Sequence, residues 1–71
     1  MRALIFHEAG ISYTREPHIA AEMGWKGWKY ITYFKGERQG EASLYCCSLL
    51  SALIIVNYWT GQNGWAYRLV H

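Results

Sequence analysis

Residues 42–59, ASLYCCSLLSALIIVNYW, run for eighteen positions without a charged side chain and, tyrosine apart, hold only four polar residues, Ser43, Ser48, Ser51 and Asn57. The rest of the chain must either cover this stretch or flank it across a bilayer. Eighteen residues without Gly or Pro are long for a strand, so a helix is expected despite the β-branched run Ile54, Ile55 and Val56. At 100° per residue, Leu44, Leu49, Leu50, Leu53, Ile54, Ile55, Val56 and Trp59 spread round the whole circumference, with a weak polar strip near Ser48 and Ser51. A helix apolar on all sides is covered by a sheet and its connections, by a partner subunit, or by lipid.

The flanks favour the sheet. In Trp25 to Lys35 (WKGWKYITYFK), Trp28, Tyr30, Thr32 and Phe34 alternate with Lys29, Ile31, Tyr33 and Lys35, which predicts a strand with the first set facing the core. Trp65 to Val70 (WAYRLV) alternates in the same way and reads as a closing strand. The apolar run Ala3 to Phe6 and the segment Ile11 to Thr14 suggest two short strands, with Gly10 as the turn between them. Pro17 to Met23, followed by Gly24, has Pro at a helix start and Gly just past its end; Ile19 and Met23 are expected to face inward. Gly36 to Gly40 reads as a polar turn with room for a short returning strand, after which Ser43 would cap the long helix. Gly61 or Gly64, in the segment Thr60 to Gly64, would end that helix in a left-handed cap. The expected fold is a small α+β single domain over residues 1–71, an antiparallel sheet packed on one long apolar helix.

Lipid is the alternative. Eighteen residues would reach roughly 27 Å as a helix, close to a hydrocarbon core of about 30 Å. Arg2, Arg15, Lys26, Lys29, Lys35 and Arg38 precede the stretch and only Arg68 follows it, so a span of residues 42–59 would leave the N-terminus inside. The aromatic flanks argue against it, because Trp25, Trp28, Tyr30, Tyr33, Phe34, Trp65 and Tyr67 need an apolar partner of their own.

A chain of 71 residues makes a marginal core, but four Trp, six Tyr and two Phe compensate, since each large ring buries on the order of 150–250 Å². A formal charge of +2 is too small for a nucleic-acid signature and has the wrong sign for a mimic of one. Cys46 and Cys47 are adjacent and offer no stapling framework, which points to a reducing, cytoplasmic setting. The apolar run after Arg2 is too short for a secretory signal.

Motifs for chemistry are absent. His7, Glu8 and His18 match no metal spacing, and His71 is terminal. The two cysteines read as small buried hydrophobes; the serines have no nucleophile-elbow context; the glycines form no phosphate loop. No cofactor is implied, and a non-enzymatic protein is expected. One surface stands out: Trp25, Lys26, Lys29, Tyr33, Lys35 and Arg38 interleave basic and aromatic groups along a strand, a composition that suits either a protein interface or a nucleic-acid-binding module.

In layout, with YITYFKGERQGEAS leading from strand to polar turn, a helix, and NGWAYRLVH closing the chain, the last two-thirds resembles small phage-encoded inhibitor proteins of the anti-CRISPR kind. That class shares no sequence motif, so the resemblance assigns no residue a role. It implies a binding protein that inactivates a host defence or regulatory complex, protein or ribonucleoprotein, by occupying it. The mild basicity favours blocking a protein surface or a nucleic-acid groove over mimicry. Because one sheet cannot cover a helix apolar all round, a homodimer or a larger partner is expected to cover the remainder.

Overall fold

The computed structural model describes residues 4–62 and 64–70. Arg2, the Ala3 start of the first expected strand, Asn63 and His71 lie outside the described residues. Among the described residues, five strands and two helices follow in the order β1 (Phe6–Glu8), β2 (Ile11–Thr14), α1 (Pro17–Met23), β3 (Lys26–Phe34), β4 (Glu37–Cys46), α2 (Leu49–Thr60) and β5 (Trp65–Val70). The strands form one antiparallel sheet in the order β1-β2-β4-β3-β5. This is the expected α+β architecture, with α2 packed on one face of the sheet.

The uncharged stretch divides in two. Residues 42–46 are the end of a ten-residue strand and the helix begins only at Leu49. Ala42, Leu44 and Cys46 lie opposite Tyr30, Trp28 and Lys26 of β3, and Leu44 and Cys46 are fully buried. Period-two alternation therefore governs this half, hidden because the intervening Ser43 and Tyr45 carry no charge. The returning strand is correspondingly not short: it runs from Glu37. Ser43 sits in that strand opposite Lys29, and the cap is Ser48, whose Oγ accepts the backbone N–H of Ser51 at 3.2 Å. Ser43 as helix cap and residues 42–59 as one helix are both corrected. At 12 residues, α2 reaches about 18 Å, and among the described residues no helix is long and apolar enough to cross a membrane.

Other boundaries moved less. β1 starts at Phe6 and includes Glu8, and the turn to β2 is Ala9-Gly10 with both φ positive, at 51° and 76°, the two-residue hairpin geometry that glycine eases. α1 ends in a left-handed Gly24 as expected, but Ala20 is its buried residue, Ile19 is half-buried, and Met23 is 50% exposed. A helix of seven residues presents one narrow inward stripe, and Pro17 sets its phase. Gly61, at φ −80°, is not left-handed, whereas Gly64 is, in the turn into β5.

The core joins Tyr13, Tyr30, Leu44 and Cys46 of the sheet to Ala52, Ile55, Val56 and Trp59 of α2, with Ile11, Trp28, Tyr67 and Leu69 packed at its margin. Trp59 is its centre. Its ring lies 5.3 Å from that of Tyr13, 5.2 Å from Tyr30 and 5.4 Å from Tyr67, edge-on or tilted in each case, the arrangement aromatic quadrupoles favour.

Removing the Ser48 cap should cost about 1 kcal/mol in urea unfolding of Ser48→Ala, while Ser43→Ala, which only trims a half-buried strand residue, should change stability little. The reverse ranking would place the helix start back at residue 43.

Candidate functional site

The sheet has two unlike faces. Toward α2 point Phe6, Glu8, Ile11, Tyr13, Trp28, Tyr30, Leu44, Cys46, Tyr67 and Leu69, as strand register and burial require. The opposite face presents Lys29, Ile31 and Tyr33 of β3, Arg38, Glu41, Ser43 and Tyr45 of β4, and Arg68 of β5. On that face the predicted basic and aromatic residues are only partly gathered.

A β-bulge sets the arrangement. Between Thr32 and Tyr33 the β3–β4 register shifts, so that Thr32 faces Gly40 but Tyr33 faces Arg38, leaving Gln39 as the extra residue. In a regular strand Arg38 and Glu41, three apart, would point to opposite faces. The bulge puts them on the same one. Arg38 Nη2 lies 3.4 Å from Glu41 Oε2, and Lys29 Nζ lies 3.7 Å from Glu41 Oε1, so one carboxylate orders two cations across adjacent strands. Arg68, opposite Ile31, carries its guanidinium 5.9 Å from the centroid of the Tyr33 ring. Ile31, in register between Glu41 and Arg68, is only 8% exposed, as an apolar residue beside long charged side chains can be.

Of the six candidates, Lys29, Tyr33 and Arg38 belong to this group. Lys35 does not share their strand face: with φ 52° it is the first residue of the two-residue Lys35-Gly36 turn, its Nζ 5.4 Å from the Phe34 ring centroid. Lys26 lies opposite Cys46 at the other end of β3, roughly 30 Å from Lys35 along the strand. Trp25 precedes β3, half-buried, its backbone N–H donating to Ala20 O at 2.9 Å in the end of α1. Arg68 and Glu41 do not stand out in the sequence. Arg68 was hidden because pairing β5 with β3 is a long-range event, and Glu41 because Gln39 carries no mark of a bulge.

A second polar group lies on the α2 side. Glu8 Oε1 accepts the Tyr13 hydroxyl and the Trp59 Nε1–H, the latter at 3.1 Å. Arg15 holds its guanidinium 5.0 Å from the Trp59 ring centroid and 5.9 Å from that of Tyr13. The Tyr13 bond first, then the Trp59 bond and, more weakly, the Arg15 charge hold the Glu8 carboxyl below the usual range, against the opposing effect of burial. Burial and then the Glu8 contact push the Tyr13 hydroxyl well above the usual phenol range. Glu8, Arg15, Trp59, Gln62 and Tyr67 line a small open cavity of about 140 Å³.

The cysteines differ from each other. Cys46 is the buried hydrophobe expected, its thiol pushed up by burial. Cys47 is exposed, contrary to the expectation, because the chain leaves the sheet there; hydrogen bonds with Ser51 and then Ser48 push its thiol down. Among the described residues no three His, Cys, Asp or Glu gather as metal ligands; His7 instead bonds Ser12 through Nδ1 at 2.7 Å, and His18 is exposed on α1.

No protein-family model, curated protein or solved structure matches this chain.

A carboxyl whose value is lowered in the folded state stabilises fully above its unfolded value, near 4.5, and that contribution is lost as pH falls through the lower folded value. Glu8→Gln should therefore be less stable than the parent at pH 7, and the gap should close on acidification. Urea midpoints at about pH 7, 5 and 3 read this directly; a gap independent of pH would mean that the Glu8 charge contributes nothing.

Proposed function

We propose that this protein is a non-enzymatic binding domain whose recognition surface is the open sheet face around Lys29, Tyr33, Arg38 and Arg68. The observation that carries the reading is the cross-strand lattice in which Glu41 holds Lys29 and Arg38 while Arg68 rests on Tyr33. Exposed pairs of this kind add little to stability, on the order of 0–1 kcal/mol each. Their value lies in order: side chains already held in place lose less entropy when a partner docks. Arginine and tyrosine are also the residues that most often anchor interfaces.

Glu41 supports a protein partner over nucleic acid. A carboxylate at the middle of the patch opposes close approach of phosphates, whereas cations of two strands alternating with it match a mixed-charge protein surface. The protein thus acts by occupying a surface on a larger complex, a host defence or regulatory assembly in the phage-inhibitor reading, with Trp25, Lys26 and Lys35 outside the central contact.

The test is affinity capture from host lysate with the parent chain and with Tyr33→Ala/Arg38→Glu/Arg68→Glu, each first shown to unfold cooperatively. The parent should retain a defined partner and the triple variant should lose it. Equal capture by both would remove this face. Binding of a single-stranded oligonucleotide that weakens steeply with salt would favour the nucleic-acid reading instead.

A further inference from the structure

Helix α2 is half-covered. Its rows Ser51-Ile55-Trp59 and Ala52-Val56 are buried on the sheet. On the other half, Leu49 is 44% exposed, Leu50 66%, Leu53 49%, Ile54 39% and Tyr58 41%, with Asn57 exposed among them. None of the residues from Leu49 to Thr60 carries a charge. The exposed side is one surface, across the sheet from Tyr33, Arg38 and Arg68, and the two faces meet only where Lys29 and Leu49 line a common notch.

We propose that this face docks on the same face of a second copy of the chain, forming a two-fold dimer through α2. The spacing supports it first. Leu49-Leu53-Asn57 and Leu50-Ile54-Tyr58 are two parallel rows at four-residue intervals with one groove between them. Rows of this kind interlock with an identical set at a crossing of about −50°, the commonest helix-packing class. A two-fold axis near Leu53 and Ile54 sets Leu50 of each copy toward Tyr58 of the other.

Charge supports it next. Ions are costly to bury unpaired; an uncharged face meets its own copy without desolvating any, and offers nothing for a charged partner to pair with. Area is the third consideration. Five large apolar side chains between 39% and 66% exposed lie side by side on it, unlike the singly scattered apolar residues ordinary on a monomer surface, and a stable interface of roughly 800 Å² per partner takes in neighbouring surface as well. The remainder adjoins it. Leu49 forms one wall of an open notch of about 460 Å³ at the last β3–β5 pair, Lys29 with Val70, whose other walls are Gly27, Trp28, Leu69, Val70 and, at its rim, the 67% exposed Lys29 side chain, which keeps its ammonium in water when the notch is filled. An isologous contact fills that notch twice, once per copy.

Sedimentation equilibrium from about 1 to 500 µM, a span covering ordinary dimer affinities, tests the proposal on the parent chain, on Leu53→Asp and on Tyr33→Ala. The parent should approach twice 8.3 kDa. Leu53→Asp would place two unpaired carboxylates in each dimer, so its dissociation constant should rise by roughly a thousandfold or more while near-UV circular dichroism reports an intact fold. Tyr33→Ala, on the other face, should dimerise like the parent. A parent monomeric throughout, a Leu53→Asp variant that still dimerises, or a dimer lost with Tyr33→Ala would each overturn it. So would a monomer that binds neutral phosphatidylcholine vesicles through α2, which would make lipid the occupant. The outcome is independent of partner capture by the sheet face.

Discussion

The indole of Trp59 stands where α2 meets β2, β3 and β5, and the rest of the molecule is arranged round it. Tyr13, Tyr30 and Tyr67, from three strands, approach it with their rings between 5.2 and 5.4 Å away. Its Nε1–H reaches Glu8 on β1, fifty-one residues earlier in the chain. In a 71-residue protein with free cysteines, one large side chain that touches most of the sheet takes the place that disulfides have in other small domains. It also explains a carboxylate on the apolar side. Glu8, half-buried, stays there because both of its donors, Tyr13 and Trp59, are themselves core residues that meet its carboxylate as they pack.

The same dependence on distant pairing governs the open face. The bulge at Gln39 shifts the parity of β4, brings Arg38 beside Glu41, and so converts separate charges into a lattice spanning β3 and β4. β5 then adds Arg68 on Tyr33. The molecule thus carries two outward surfaces of opposite character, an ordered charged one on the bare side of the sheet and an uncharged apolar one on the bare side of α2. In the two proposals made above, the apolar face takes a second copy of the chain and the charged face a different partner.

Much of this was legible from residue patterns. Alternation located β3 and β5 within a residue, and Pro17 with Gly24 bounded α1. That the helix is apolar on both sides was also visible. What escaped notice has one physical cause: local signals vanish where charge does. From Ala42 to Trp59 the strand-to-helix switch at Cys47 and Ser48 is marked by one serine among several. The capping serine can be told from Ser43 only by knowing that Leu44 and Cys46 are paired into the sheet. The site was half legible for a related reason. Lys29, Tyr33 and Arg38 follow from strand phase, but Arg68 and Glu41 depend on which strands are neighbours and on a bulge, and neither is a property of a local window.

If Trp59 is the joint through which the β1–β2 hairpin is held to the rest, native-state hydrogen exchange in Trp59→Phe is the direct measure. Phenylalanine keeps a ring among the three tyrosines but has no N–H for Glu8. Protection should fall chiefly at Phe6 to Thr14 while amides pairing β3 with β4 keep most of theirs, the hairpin opening as a unit of its own. Protection unchanged at the hairpin, or lost evenly along the whole sheet, would contradict the role of Trp59 as that joint.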